Sequence, residues 1–325
     1  LAVLLFGSAF ALLVSGIPIW AGLAGISLLF ILIFSPHLLE TVPYVLHGSM
    51  DSFPLLAIPL FILLSAPIAE SDASKDLYET LHKWLYKIPG GLGIANMIGC
   101  GIFAALCGSS PATAAAIGGI GIPEMRKRGY SPALSTGLIA HAGTFGILIP
   151  PSVTMILYGV ATETSIGRLF LAGVIPGLLL VGLFMAWSIY STWRQGAGKA
   201  ALGAVTYSWG QKLEVLPRVV PFLLIILGVL YALYGGIATP SETAAVGALL
   251  CVIAAVAIYR LFRFRDLWAV LRDSTRESVM ILFIIGAAGV FSFMLSNLFV
   301  TQAIAEWIAT LDVNRWVLMG AINLF

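Results

Sequence analysis

The chain has 325 residues, of which 60% are hydrophobic and 10% are charged, and its mean hydropathy is +1.02. This composition excludes a soluble domain, because such a domain needs a polar shell, and it predicts an all-α polytopic membrane protein. Nothing in the sequence indicates nucleic-acid binding, and the glycine-rich stretches lack the lysine of a phosphate-binding loop.

The first part of the chain is predicted to form three membrane spans followed by an interfacial helix. Apolar runs at 1–15, 18–34 and 54–70 are the spans, and no lysine or arginine occurs from 35 to 53. Because lysine and arginine collect on the cytoplasmic side of a membrane, this connection is expected outside. The segment 75–87, KDLYETLHKWLYK, is typical of an amphipathic helix at the cytoplasmic interface.

The apolar segment 88–123 is predicted to enter the membrane and return to the side it came from. Basic residues lie on both flanks, which places both flanks in the cytoplasm. These residues are Lys75, Lys83 and Lys87 before the segment and Arg126, Lys127 and Arg128 after it. A helical crossing takes ~20 residues, so these 36 residues cannot form two crossings and a turn. We therefore expect a re-entrant hairpin that reverses near the middle of the bilayer.

The hairpin is expected to reverse within the sequence GSSPAT. Gly108 suits the position just past a helix end, and Ser110 followed by Pro111 is typical of an N-cap and a first helical residue. Two half-helices then meet inside the membrane, so carbonyl oxygens and amide groups at one tip can hold a cation and a carboxylate. Ser109, Ser110 and Thr113 are candidate substrate ligands, and Gly108 and Ser109 are candidate Na⁺ ligands. In the alternative reading, the hydroxyl residues only cap helices.

Segment 131–160 is expected to cross outward with a break at GTFGILIPP. The two glycines permit close backbone approach, and the two prolines remove amide donors. A break at the depth of the hairpin tip turns carbonyl oxygens toward it, and a hard cation such as Na⁺ prefers oxygen ligands. Gly143, Thr144 and Gly146 are therefore candidate Na⁺ ligands, and Thr144 is also a candidate substrate ligand. The alternative is a kinked, continuous helix in which small residues serve packing.

The rest of the chain is predicted to repeat the first half in the opposite sense. The remaining spans are expected at 171–193, 219–235, 240–259 and 278–300. Inverted repeats are typical of secondary transporters, whose sites lie at discontinuous helices near the midplane. A second hairpin is expected to begin at about Arg315 and to be cut short where the sequence stops. Glu242 is predicted to form a capping box with Thr239 rather than to act as a site acid.

Three stretches of this sequence resemble the large membrane subunit of tripartite ATP-independent periplasmic (TRAP) transporters. They are GSSPATAAAIGGIGIPEMRKRGY, GTFGILIPPSVTMILYGVATETSIGRLFLAGVIPG and GGIATPSETAAVGA. The resemblance implies an elevator-type transporter of the bacterial inner membrane, with Na⁺-driven uptake of organic acids such as C4-dicarboxylates or sialic acids. It also implies a small four-helix membrane partner and a periplasmic substrate-binding protein. His141 stands where we expect a small residue, and its role stays open.

On this resemblance the chain divides into scaffold and transport parts. Residues 1–87 are assigned to the first-repeat scaffold and its interfacial arm, and 194–314 to the second-repeat scaffold. Residues 88–170 are assigned to the transport domain, and 171–193 to a connecting span. Residues 315–325 would begin the second hairpin, whose missing tip leaves the second Na⁺ site without a location.

Two other functional classes were weighed against a transporter. An ion channel also uses re-entrant loops as filters, but the sequence has no continuous polar pore stripe. An intramembrane enzyme needs a catalytic cluster, and no acid partner or metal-ligand cluster accompanies His141 and Ser152. A transporter without its own ATPase fits the sequence better than either, so we do not expect an enzyme.

Overall fold

The computed structural model describes residues 1–86, 88, 90–195, 207–260, 264–310 and 314–324. Within these ranges the regular structure is entirely helical, which confirms the all-α prediction. The first nine helices are α1 (Ala2–Val14), α2 (Ile19–Phe34), α3 (Val42–Met50), α4 (Ala57–Ala69), α5 (Ala73–Leu85), α6 (Gly91–Cys107), α7 (Ser110–Lys127), α8 (Pro132–Gly143) and α9 (Phe145–Leu148). The others are α10 (Val153–Ala161), α11 (Ile166–Gln195), α12 (Trp209–Leu213), α13 (Leu216–Tyr234), α14 (Pro240–Tyr259), α15 (Phe264–Asn297), α16 (Val300–Thr310) and α17 (Arg315–Leu324).

Several of these helices are long and apolar enough to cross a bilayer. Four described helical segments meet that requirement singly, and two consecutive helix pairs raise the number to six when each pair counts as one span. The four segments are Ile166–Arg194, Trp209–Tyr234, Pro240–Tyr259 and Phe264–Asn297. The chain is therefore a multi-pass membrane protein, as its composition predicts.

The chain packs into two units, and the first combines its beginning with its end. This unit contains Leu1–Ser52 and Val279–Phe325. Its core joins Phe30 and Ile31 of α2 to Met294 of α15, all of which are almost fully buried. The second unit, Phe53–Ser278, contains the hairpin and the broken helix. These units describe packing alone, and the functional division into scaffold and transport parts stays a prediction.

Helix α6 lies at the centre of the second unit. Thirteen of its 17 residues are buried, and it packs against α4, α5, α7, α8, α9 and α11. Small residues bring the neighbours close: a Cβ on Gly101 would lie 3.5 Å from Val181 of α11, and one on Gly121 of α7 would overlap the Asn96 side chain. Protein thus encloses this half-helix, as a helix that ends inside a membrane requires.

Helix α5 is the amphipathic segment that the sequence predicts, and it covers the base of the hairpin. One face is buried, with Ala73, Leu77 and Tyr78 among its members, and the other carries charged residues. Leu81 reaches α6, where its Cδ1 lies 3.4 Å from the Cβ position of Gly99. The predicted segment extends to Lys87, which lies outside the described residues.

The long helix α11 packs against the broken segment α9–α10 through one glycine. A Cβ on Gly173 would lie 2.7 Å from the carbonyl oxygen of Leu148 and would overlap the terminal methyl group of Met155. Gly182, on the same helix, has open space around its Cβ position. Alanine substitutions at these two positions therefore distinguish the effect of close packing from the effect of helix propensity on stability.

We expect Gly173→Ala to lower the thermal unfolding temperature of the detergent-solubilised protein, because the added methyl group meets backbone that cannot move aside. Overpacking of this kind costs ~1–3 kcal/mol. Gly182→Ala is the matched control, and it should leave stability unchanged or raise it by up to ~1 kcal/mol through helix propensity. Equal unfolding temperatures for the two variants would contradict the close packing at Gly173.

Candidate functional site

The hairpin turns at Gly108 and Ser109, close to the predicted place. Helix α6 ends at Cys107, and Gly108 adopts φ +59°, a left-handed conformation that glycine accepts readily. Ser109 is extended and is the N-cap of α7, with Pro111 in the first turn. The prediction that Ser110 is the N-cap is wrong by one residue. The reason is that the Ser109 carbonyl oxygen already accepts the first helical hydrogen bond, from the Thr113 amide at 3.0 Å.

The buried side chain of Thr113 stabilises the turn. Its side chain is fully buried, and its hydroxyl group donates to the Ser109 carbonyl oxygen at 2.8 Å. The Cys107 sulfur lies 3.2 Å from the same hydroxyl oxygen. In this conformation Thr113 therefore holds the two helix ends together, which is the capping alternative weighed for it. Its role in substrate binding stays a prediction.

The break in the second helix lies at Ile149–Ser152 rather than at its first glycine. Helices α8 and α9 are nearly continuous, since Thr144 between them keeps right-handed helical torsions. Ile149 and Ser152 are extended, and the segments on either side of this gap, Pro132–Leu148 and Val153–Ala161, are bent by 43°. Pro150 and Pro151 lack amide donors, so the helix stops there. The broken-helix interpretation is thus favoured over the kinked, continuous helix.

The structure brings the hairpin tip and the broken helix into direct backbone contact. A Cβ on Gly146 would lie 2.6 Å from the Ser109 carbonyl carbon and 2.7 Å from the Ser110 amide nitrogen. A Cβ on Gly143 would lie 3.4 Å from the Ser110 carbonyl oxygen, and one on Gly108 would lie 2.6 Å from the Pro151 carbonyl oxygen. Only glycine allows this approach. Most of the predicted site residues therefore lie at one place, which we call the tip junction: Gly108, Ser109, Ser110, Gly143 and Gly146.

Ser110 contributes a buried oxygen to the tip junction. Among the described residues, its Oγ has no hydrogen-bond partner although it is enclosed by protein. A buried hydroxyl oxygen without a partner is costly, so it is a natural ligand for a small cation. The hydroxyl group of Thr144, in contrast, is exposed and donates to the His141 carbonyl oxygen at 2.6 Å. Thr144 lies beside the junction with its side-chain oxygen already engaged.

Ser109 faces a cavity of about 110 Å³ that sequence reasoning did not anticipate. The hairpin side of the cavity carries Cys107, Ser109 and Ala112. The opposite side, from α4, α10 and α15, carries the other lining residues: Ile62, Ser65, Ala66, Ala69, Glu70, Val153, Val270, Asp273, Ser274 and Glu277. Three lining residues, Glu70, Asp273 and Glu277, are acidic and none is basic. Arg272, outside the lining, donates to both carboxylate oxygens of Asp273, at 2.8 and 3.1 Å, so the charge of that acid is paired. The cavity escaped prediction because Glu70 is about 200 residues from Asp273 and Glu277, and both acidic segments are distant in the chain from Ser109, so that only packing brings them together.

The acids do not form a metal centre of the usual kind. In the described part of the chain, no three His, Cys, Asp or Glu residues are grouped so that they could hold a metal ion. A cation at the tip junction would therefore depend on hydroxyl and backbone oxygens.

The structure defines the surroundings of His141, whose role the sequence left open, and of Glu242, which the sequence predicts to be a capping residue. The His141 ring lies on the side of α8 that faces α11, with its centroid 5.4 Å from that of Phe184, and its Nδ1 lies 2.7 Å from the Gly137 carbonyl oxygen. Glu242 accepts a hydrogen bond from the Thr239 amide at 2.8 Å, and the Thr239 hydroxyl accepts one from the Glu242 amide at 3.3 Å. Glu242 is therefore a capping residue, as predicted.

Comparison with known proteins places the chain in one family. The family described as tripartite ATP-independent periplasmic transporter, DctM component, matches residues 6–325. The chain is 38% identical to the C4-dicarboxylate TRAP transporter large permease protein DctM of Pseudomonas aeruginosa, over 93% of this chain and 70% of that protein. It is 33% identical to the C4-dicarboxylate TRAP transporter large permease protein DctM of Rhodobacter capsulatus, over 99% and 76% of the two chains. It is also 33% identical to the isethionate TRAP transporter permease protein DctMQ of Oleidesulfovibrio alaskensis, over 98% of this chain and 50% of that protein.

We expect Gly146→Ala to disrupt the tip junction, because the new methyl group would overlap the Ser109–Ser110 peptide. The transport rate measured in reconstituted vesicles should fall at least about tenfold, since a misplacement of ~1 Å at a functional site costs activity on this scale. Gly137→Ala on α8 is the control, because nothing lies within 4 Å of its Cβ position. Similar activities for the two variants, at equal amounts of folded protein, would contradict the contact.

Proposed function

Because the chain belongs to the DctM component family of TRAP transporters, we propose that it carries C4-dicarboxylates across the bacterial inner membrane in symport with Na⁺. As a member of that family it is a membrane transporter subunit and not an enzyme. Beyond this family membership, the proposal specifies the substrate class, the coupling ion and the membrane. It rests mainly on one observation, the backbone contact of the hairpin tip with the broken helix at Gly146.

The substrate class is supported by relatives and by the polarity of the tip. Two relatives named as C4-dicarboxylate permeases share 38% and 33% identity with this chain. The N-terminus of α7 supplies amide groups and the positive end of a helix dipole, which favour a carboxylate. Ser109 and Ser110 lie at that terminus. We therefore propose these two serines as substrate ligands and rank sialic acids second.

Na⁺ is supported by the ligands that the tip junction offers and by the charge of the cargo. The buried Ser110 Oγ and the backbone around Gly143 and Gly146 supply oxygen, the ligand that hard cations prefer. Moving one net charge through 100 mV is worth ~2.3 kcal/mol, or about 50-fold in accumulation. A dianion needs at least about three Na⁺ to enter with net positive charge, and a monoanion needs about two.

The mode of movement and the partners complete the proposal. We propose that the hairpin and the broken helix move together as the transport part of an elevator. A small four-helix membrane subunit would hold the remaining helices, and a periplasmic protein would deliver the substrate. A channel with a filter at the same loops is the competing hypothesis, and it predicts flux that does not saturate and needs no binding protein.

The function can be tested by uptake into proteoliposomes that contain the chain with its small subunit and receive its binding protein outside. Uptake of labelled succinate should saturate, require the binding protein and stop when choline replaces Na⁺. Labelled sialic acid under the same conditions should be taken up poorly. Equal succinate uptake in choline would refute Na⁺ coupling, and uptake without the binding protein would favour the channel.

Substitution of the buried serine tests the proposed Na⁺ ligand. Ser110→Ala should raise the Na⁺ concentration for half-maximal uptake about tenfold, the equivalent of ~1.4 kcal/mol, because the cation loses one oxygen. Ser188→Ala is the matched control, since the Ser188 Oγ is also buried without a partner among the described residues but lies on α11. If both variants keep the normal Na⁺ dependence, Ser110 does not bind the ion.

A further inference from the structure

Helix α5 contacts two neighbours through surfaces of different chemistry. On one side it packs against the hairpin helices α6 and α7, and on the other it packs against α12 and α13. The hairpin is a candidate moving part, whereas α13 and α14 belong to the predicted scaffold. The bonds in each contact therefore decide whether α5 moves with the hairpin or stays with α13 and α14.

The contact with α13 and α14 centres on a buried carboxylate. Asp76 is 7% exposed, and its Oδ2 accepts a hydrogen bond from the Tyr259 hydroxyl of α14 at 3.0 Å, across 183 residues of sequence. The Arg218 Nη1 of α13 lies 3.7 Å from the same oxygen. A buried carboxylate is strongly destabilised when it loses its partners. Both partners come from outside α5, so separation of α5 from α13 and α14 is disfavoured.

A second contact ties the other end of α5 to α12. The Nζ of Lys212 lies over the rings of Trp84, Tyr86 and Trp209, between 5.3 and 5.8 Å from their centroids. The Trp84 indole also donates to the Lys212 carbonyl oxygen at 3.4 Å. Cation–π contacts of this kind are attractive and orient the rings around the charge. Helix α5 is thus held at two places by the segment that contains α12–α14.

Among the described residues, no hydrogen bond or ion pair joins a side chain of α5 to the hairpin helices. Leu81 packs against Gly99 of α6. The buried Tyr78 Oη and His82 Nδ1 of α5 also have no hydrogen-bond partner in the described part of the chain. Burial, assisted by Arg128, lowers the pKa of His82 to about 4, so the ring is neutral at physiological pH. Packed surfaces that are not joined by hydrogen bonds or ion pairs can slide past each other by small shifts. This side therefore permits displacement that the Asp76 side resists.

The connection between α5 and the hairpin turns sharply at two glycines. Gly90 has φ +74°, and a Cβ on Gly91 would overlap the carbonyl oxygen of Leu85. A side chain at either position is therefore strained or excluded. Gly90 and Gly91 lie at the start of α6, and the end of a helix is the kind of position where a hinge absorbs torsional change.

We infer that Asp76 is a positioning residue, which fixes α5 to α13 and α14 through Tyr259 and Arg218 while the hairpin turns about Gly90 and Gly91. The inference rests on the proposed elevator movement and adds the contact that keeps the arm stationary. Asp76 touches no substrate. It acts through α5, by giving the hairpin a fixed point from which to move.

The test uses the complete transporter complex in proteoliposomes with variants of matched charge. Asp76→Asn should lower the maximal uptake rate about tenfold and leave the half-saturating concentrations of Na⁺ and loaded binding protein within about twofold. Tyr259→Phe should have the same effect to a smaller extent. The double variant with Asp76→Arg and Arg218→Asp should recover part of the rate that Asp76→Arg alone loses. Asp72→Asn is the control, since Asp72 lines one surface pocket together with Asp76, Arg218 and Tyr259 but is exposed, and it should keep the normal rate.

Distances between spin labels separate this inference from the elevator proposal. A pair at positions 75 and 224 reports α5 against α13, and a pair at 126 and 224 reports the hairpin against α13; all three positions are exposed, and the native cysteines are buried. In the parent protein the first distance should stay single and narrow in all conditions, while the second should change on addition of Na⁺ and succinate. Asp76→Asn should broaden the first distance.

An unchanged first distance in that variant, or equal effects of Asp76→Asn and Asp72→Asn, would overturn the inference that Asp76 fixes α5 to α13 and α14. A second distance that never changes in the parent would instead overturn the elevator.

Discussion

The contact of Gly146 with the Ser109–Ser110 peptide is the constraint on which the centre of this protein depends. Two helix ends inside a membrane expose amide and carbonyl groups that lipid cannot satisfy. Here the backbone of one broken segment covers the backbone of the other, with no side chain between them. Gly108 and Gly143 extend the same contact on either side. The surrounding helices then enclose the junction, and most residues of α6 are buried.

Charge and length alone predicted the hairpin, because basic flanks and a 36-residue apolar run leave few ways to cross a bilayer. The capping box of Glu242 was equally predictable, since it depends only on two residues that are three positions apart in the sequence. Finer details depended on local hydrogen bonds. The N-cap moved to Ser109 because the Thr113 amide bonds to its carbonyl oxygen. Within the predicted stretch GTFGILIPP the break lies at its C-terminal end, Ile149–Ser152, because the prolines, and not the glycines, remove the amide donors.

Tertiary proximity was beyond the reach of the sequence pattern. Glu70 ends one predicted span and Glu277 directly precedes another, yet both line the cavity that Ser109 faces. Asp76 similarly reads as one charge on an amphipathic helix, whereas the structure buries it against residues of α13 and α14. Each of these contacts joins elements that are distant in the chain. No local periodicity encodes which helices meet, so only the packed structure assigns these side chains a partner.

Thr113 and Cys107 have a consequence for the thermodynamics of ligand capture. Their side chains close the hairpin turn with contacts that belong to the tip itself and involve no external molecule. The turn is therefore already in shape before anything binds, and association does not have to pay for ordering a loose loop. Preorganisation of this kind leaves more of the interaction energy available as affinity. Under the proposed function, a ligand would therefore enter and leave the tip without folding and unfolding of the turn in each cycle.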